Sequence, residues 1–283
     1  MYKTPLCLGT FPPACRSIKE QLRLFRETGF EGFFAGWDDD LKAIRRQADK
    51  LGLLYQSVHA PFTNAADMWK TGSDAEAAVE ELLRCVKDCA AVEVPILVVH
   101  TWIGFEPSAG PSAAGIENFR RVVDEAAKRN VKIAFENTEG EEYLAALLDT
   151  FADDPAVGFC WDTGHELCYN RGRDLTALYG EKLICTHLND NLGIRDLTGE
   201  ITWLDDLHLL PFDGITDWQG VADRLVRCGY RGPLTFELNL GSKPGRRDND
   251  KYARMDFADY VTEVYARACR VAAMYQRAGI KII

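Results

Sequence analysis

The sequence predicts a closed (β/α)8 barrel of the α/β class, and three observations lead there. Of the 283 residues 47% are apolar, enough to bury a large core. Short runs rich in β-branched and aromatic residues alternate with longer stretches of 3.6-residue period, the mark of βα units repeated round a parallel sheet. Eight such units fill a length that a barrel routinely spends on one domain, so residues 1–283 read as a single barrel domain. A doubly wound sheet fits less well: it usually needs fewer strands or a second domain, and no Gly-x-Gly-x-x-Gly follows the first strand.

Taken in order, the expected strands are Pro5–Phe11, Phe30–Gly36, Leu54–His59, Ile96–Thr101, Lys132–Glu136, Val157–Asp162, Leu183–His187 and Leu234–Glu237. Helices are expected over 17–28, 39–51, 73–91, 112–129, 140–151, 173–180, 217–228 and 254–278. In the third, Ser73 is placed as N-cap with Glu76 three residues on, a capping box ahead of Val79, Leu82, Leu83 and Val86. The longest irregular stretches, 188–216 and 238–253, both follow strand C-termini, where barrels build active sites.

The 33 Lys and Arg against 43 Asp and Glu give a formal charge of −10. That balance argues against a broad footprint on a nucleic-acid backbone, which needs many cations to displace counterions. Nowhere do 18 apolar residues run uninterrupted, and Met1 to Thr10 lacks a basic segment followed by an apolar one. A soluble cytoplasmic protein with no membrane partner is expected. Nine cysteines are an odd number in a chain too long to need staples, and Cys7, Cys160 and Cys185 lie in strand-like runs, so they read as reduced core thiols. Cys85 and Cys89 sit one helical turn apart without a second pair, which argues against a zinc ribbon.

Where the metal-binding residue types fall is informative. His59, His100, Glu136, Asp162, His187 and Glu237 each end one of six consecutive strands, and strand C-termini of a barrel converge on its axis. Three carboxylates gathered there would repel and desolvate badly without a neutralising cation, so a divalent metal is expected. Glu136, Asp162, His187 and Glu237 form an oxygen-rich set that suits Mn²⁺, Mg²⁺ or Co²⁺, and each further imidazole shifts the preference toward Zn²⁺. His165, three residues after Asp162, and the Asp206-x-His208 pair bring all five histidines toward the same mouth. His165 is open to a second role, hydrogen bonding to substrate or supporting a ligand.

The strings SVHAP, FENTEG, WDTGH, THLND, DLHLLPFDGITDW and GYRGPLTFEL resemble the sugar phosphate isomerase/epimerase superfamily of xylose isomerase-like barrels. That superfamily includes the ketose 3-epimerases, hydroxypyruvate isomerase, inosose dehydratase and the apurinic-site nuclease endonuclease IV, whose family is AP endonuclease family 2. The resemblance covers essentially the whole chain. It implies that Glu136, Asp162, His187 and Glu237 hold the main metal, with Glu136 and Glu237 also the proton-transfer pair. His165 matches the substrate-contacting histidine of the epimerases, a metal ligand in the nuclease. His59, His100, Asp206 and His208 match further ligands of the nuclease's three-zinc cluster. The epimerases' substrate-binding arginine after strand seven departs from the pattern here; Arg195 is the nearest basic residue.

The chemistry expected is metal-dependent isomerisation or epimerisation of a sugar, sugar phosphate or keto acid, by proton transfer between the two glutamates through a metal-bound enediolate. Trp37 and Trp102, with Phe11, Phe105 and Trp203, are candidates for an apolar floor under the sugar. The cofactor is a divalent metal, Mn²⁺ or Zn²⁺, with Co²⁺ or Mg²⁺ as alternatives. The expected partner is a small sugar-like substrate, with a homo-oligomer left open and nucleic acid disfavoured. Two alternatives remain: a zinc-dependent apurinic-site phosphodiesterase, and a lyase of the inosose dehydratase type. The basic cluster Lys243, Arg246 and Arg247 after strand eight suits one sugar phosphate as readily as a nucleic-acid backbone, or is a solvated loop.

Overall fold

The computed structural model describes residues 4–13, 15–37, 40–105, 109–196 and 198–280. Among them eight parallel strands alternate with helices: β1 Leu6–Gly9, α1 Ile18–Thr28, β2 Gly32–Gly36, α2 Leu41–Leu51, β3 Leu54–His59, α3 Ser73–Ala91, β4 Ile96–His100 and α4 Ala113–Lys128. There follow β5 Lys132–Glu136, α5 Glu141–Thr150, β6 Val157–Asp162, α6 Thr163–Cys168, α7 Leu175–Tyr179, β7 Leu183–His187, α8 Trp218–Arg227, β8 Leu234–Phe236, α9 Asp250–Ala253 and α10 Phe257–Ile280. The sheet runs β7-β6-β5-β4-β3-β2-β1-β8. Its two ends meet where Leu188 N–H donates to Thr235 O at 2.7 Å and Glu237 N–H donates to Leu188 O at 3.3 Å, which nearly closes the barrel.

Side chains alternate along a strand, so a residue and the one two places before it point the same way. Val98, Ala134, Cys160 and Cys185 lie two residues before His100, Glu136, Asp162 and His187, and they form a small fully buried cluster inside the barrel. Their modest volumes leave room for the polar residues one layer up. The residues between, such as Leu97, Val99, Ile133, Phe135, Phe159 and Trp161, face the helices and join the large outer core. The nine cysteines are free thiols, with Cys7, Cys160 and Cys185 buried as the apolar runs imply.

Several boundaries differ from the sequence reading. Helix α3 begins at Ser73 itself, with Gly72 at the N-cap and no side-chain cap; Ser73 Oγ instead donates to Asp74. The capping box belongs to α1, where Ser17 and Glu20 satisfy each other's backbone N–H groups. Helix α2 starts at Leu41, capped by Asp40, and the expected start at residue 39 lies outside the described residues. Strands β1, β2 and β4 are shorter than expected, and β8 stops at Phe236, leaving Glu237 one residue past its end. Four short elements were not expected: 3₁₀ turns over Ala65–Trp69 and Gly180–Lys182, helix α6 directly after Asp162, and α9. No described helix is long and apolar enough to cross a membrane.

Candidate active site

Glu136, Asp162 and His187 sit at 0% exposure beneath the mouth of the barrel. One ligand atom each from these three and Glu237 lie within 4.8 Å of one another. That is the width of a coordination shell with bonds of about 2.0–2.4 Å. His187 Nδ1 is 2.9 Å from Glu136 Oε1 and 3.0 Å from Glu237 Oε2, so the two glutamates flank it. Asp162 uses Oδ1 to accept the His165 N–H at 2.6 Å, capping α6, and Oδ2 to accept Asn189 Nδ2 at 2.7 Å. Both oxygens are thereby aimed while each keeps a lone pair.

Two further groups adjoin this centre: His59 with His100 on Glu136, and Asp162 with His165 and His208. The Nε2 atoms of His59 and His100 lie 3.2 and 3.3 Å from Glu136 Oε2. His208 Nε2 is 2.8 Å and His165 Nε2 3.4 Å from Asp206 Oδ1. Three of these rings share a second feature: Nδ1 of His59, His165 and His208 faces the carbonyl of Ala60, Asn137 and Glu237 at 2.7, 3.0 and 3.1 Å. A carbonyl only accepts, so in those bonds Nδ1 carries the proton and Nε2 is turned toward the carboxylates, the tautomer arrangement that supports metal-ligating imidazoles. His208 is held with φ of +47°, strain a non-glycine residue carries where surrounding structure fixes it. The donor set and its outer hydrogen bonds fit a divalent cation.

Burial disfavours charge at each group, yet the clustered opposite charges mostly prevail. His187, His100 and His59 together hold the Glu136 carboxyl well below the usual range. Burial likewise opposes the Glu237 carboxylate, which His187 and His208 bring down to about 2. Glu237 and Glu136 raise His187 well above an ordinary imidazole, and Asp162, Asp206 and Glu136 do the same to His165. Asp206 raises His208 to about 9 against burial. At Asp162 burial prevails and lifts the carboxyl to about 6. His59 is raised by Glu136, whereas burial lowers His100.

Above the centre lies a cavity of about 380 Å³ whose wall includes His59, His100, His165, Asp206, His208 and Glu237. Its aromatic surface differs from the expectation. Trp37 lines it, with its indole N–H fixed on Asp88 at 3.0 Å. Trp102 does not: it stacks on Tyr143 with centroids 4.3 Å apart, outside the lining. Phe11 is a core residue edge-on to Phe257 and Tyr260, while Phe105 and Trp203 are largely exposed. In their place Phe34 stacks on His187 and Phe62 on His100, each at 4.6 Å. Arg195 is also outside the lining, exposed, with its backbone N–H on Asp205. The cation on the wall is Lys243, from the loop after β8. Asn189, Phe34 and Phe62 carry no signal in the sequence, since an amide or a phenyl ring beside a strand end is commonplace; the string THLND, which includes Asn189, is the nearest hint.

With that geometry, the match to known proteins is direct. The model of the xylose isomerase-like TIM barrel family, AP endonuclease 2, matches residues 22–261, and the chain belongs to that family. An uncharacterized protein of Sinorhizobium fredii, y4fM, is 27% identical over 91% of this chain and 89% of its own length. A probable endonuclease 4 of Mycoplasma capricolum is 27% identical over 47% of this chain and 52% of its own. In fold, the structure of an L-ribulose 3-epimerase superposes with a TM-score of 0.72 at 14% identity, covering 99% of this chain and 97% of the other.

Proposed function

We propose that this chain is a metal-dependent isomerase or epimerase acting on a sugar or sugar-like keto compound. The observation that carries the reading is the glutamate pair: Glu136 from β5 and Glu237 from beyond β8 reach the same His187 Nδ1, at 2.9 and 3.0 Å. Two carboxylates placed around one point can take a proton from a carbon beside a carbonyl and return one to its other face or to the neighbouring carbon. Glu136, Asp162, His187 and Glu237 would hold the cation, which supplies Lewis acidity toward the substrate's carbonyl oxygen. His165 and His208 stand on the wall to bond hydroxyls, and Trp37 and Phe62 offer faces to sugar C–H groups. A cavity of about 380 Å³ is of the size that takes a small molecule.

The test is incubation of ketoses in D₂O with Mn²⁺ or Co²⁺: a competent substrate gains deuterium beside its carbonyl, and Glu237→Gln lowers exchange by about 10²–10⁴-fold because an amide cannot accept the proton. Metal occupancy of the variant, measured alongside, separates lost basicity from lost ligation. A second reading, zinc-dependent phosphodiester hydrolysis, is favoured by the two adjoining histidine groups and by the half-length match to a probable endonuclease 4. Against it stands the cavity wall, where the lining among the described residues has a single Lys and no Arg. Zinc-dependent nicking of an abasic duplex, with no exchange on any sugar, would replace the first reading by the second.

A further inference from the structure

Resting on that reading of the cavity, we propose that Lys243 anchors an anionic group of the substrate, a phosphate or a carboxylate, and so selects charged over neutral sugars. Lys243 lines the cavity although lysines are ordinarily left in solvent, and its side chain is only 18% exposed. Its loop is fixed from below. Asn249, 1% exposed, donates its amide to the carbonyls of Asn239 and Gly241 at 3.0 and 3.3 Å, and its N–H donates to Ser242 Oγ at 2.9 Å. The ammonium is thus delivered by a braced backbone and lies 5.4 Å from the Trp203 ring centroid.

Its partners leave it underused. The contact of Nζ with Asp206 Oδ2 is 3.4 Å, longer than a tight charge-assisted bond of about 2.7–2.9 Å, and an ammonium has three donors. Asp206 is itself engaged through Oδ1 by His208 at 2.8 Å and His165 at 3.4 Å, so its charge is largely met by imidazoles. The other cations of the loop are spent or turned away. Arg246 pairs with Asp248 at 2.7 Å and Asp205 at 3.7 Å, and Arg247 is exposed outside the lining. In a chain of net charge −10, an under-partnered ammonium on the wall of the candidate active site is best accounted for by an anion that completes it.

Three ligands of one carbon skeleton test this by calorimetry on the metal-loaded protein: D-fructose, D-fructose 6-phosphate and D-fructuronate, with inorganic phosphate as a fourth probe. At least one anionic sugar should bind about tenfold or more tighter than D-fructose, the scale of one hydrogen bond to a charged group. Lys243→Met should abolish that preference, bringing the anionic sugars down to the affinity the same variant shows for D-fructose, and Lys243→Arg should retain it in part. The two anionic sugars separate a phosphate site from a carboxylate site. Equal affinity for all probes, absence of measurable binding, or a Lys243→Met variant that keeps the preference would overturn the assignment. Selection without C–H exchange on any sugar would uphold the anchor while the isomerase reading falls; C–H exchange on ketoses together with equal affinity for neutral and anionic sugars would do the reverse.

Discussion

Arg224→Met should be among the most damaging single changes outside the cavity, and its cost can be worked from the contacts. The guanidinium of Arg224 grips Glu166 through three short approaches, Nη1 to Oε1 at 2.8 Å and Nη2 to Oε1 and Oε2 at 2.8 and 2.6 Å, and its Nε donates to Thr176 Oγ1 at 3.0 Å. It also lies 4.3 Å over the ring of Trp161, whose N–H donates to Glu166 Oε2 at 3.0 Å. Glu166 is 4% exposed. Removing the arginine strands a buried carboxylate, which costs about 3–5 kcal/mol. At about 2 °C per kcal/mol for a domain of this size, the melting temperature should fall by roughly 6–10 °C. Because Glu166 follows His165 on α6, metal affinity should fall with it. The assay is a denaturant titration of four proteins: parent, Arg224→Met, Glu166→Leu and the double variant. Replacing both partners removes the stranded charge, so the double variant should be more stable than Arg224→Met alone. A single variant within about 1 kcal/mol of the parent, or a double variant no better than the single, refutes the reasoning.

Two further changes probe other links. A Cβ on Gly164 would sit 1.9 Å from Asn189 Oδ1, so Gly164→Ala must displace the amide that orients Asp162; Mn²⁺ affinity by calorimetry should drop about 10–100-fold, and an unchanged affinity would contradict that role. Burial opposes the Asp213 carboxylate, but Arg267, Tyr252 and Lys251 outweigh it and hold the carboxyl below its ordinary 3.8. A depressed folded value means stability that is complete above about pH 4 and is lost as pH falls through the folded value. The stability deficit of Asp213→Asn, followed by denaturant titration, should therefore shrink below pH 4; a deficit constant from pH 7 to pH 2.5 would sink the idea.

What could be read from the sequence follows from how a barrel is built. A strand end is a position fixed by two local signals, an apolar run and the turn that stops it, so the rim residues from His59 to Glu237 were found without knowing any contact. The period of two then also assigns Val98, Ala134, Cys160 and Cys185 to the layer beneath them. Loop residues have no such rule. Arg195 and Trp102 stand close in sequence to the rim, yet one is held by Asp205 on an exposed turn and the other is pulled sideways onto Tyr143. Lys243 lies six residues past Glu237 and faces inward because Asn249, a further six along, ties the loop to Asn239 and Gly241. Helix α6 is hidden for a related reason: its six residues are too few to show a period, and the residue that caps it, Asp162, also reads as a strand end and a metal ligand. One carboxylate thus does two jobs, starting a helix with Oδ1 and facing the other ligands. His165 owes its place to that economy, since the same hydrogen bond that begins α6 fixes its backbone where its ring lies 3.9 Å from Asp162 and 3.4 Å from Asp206.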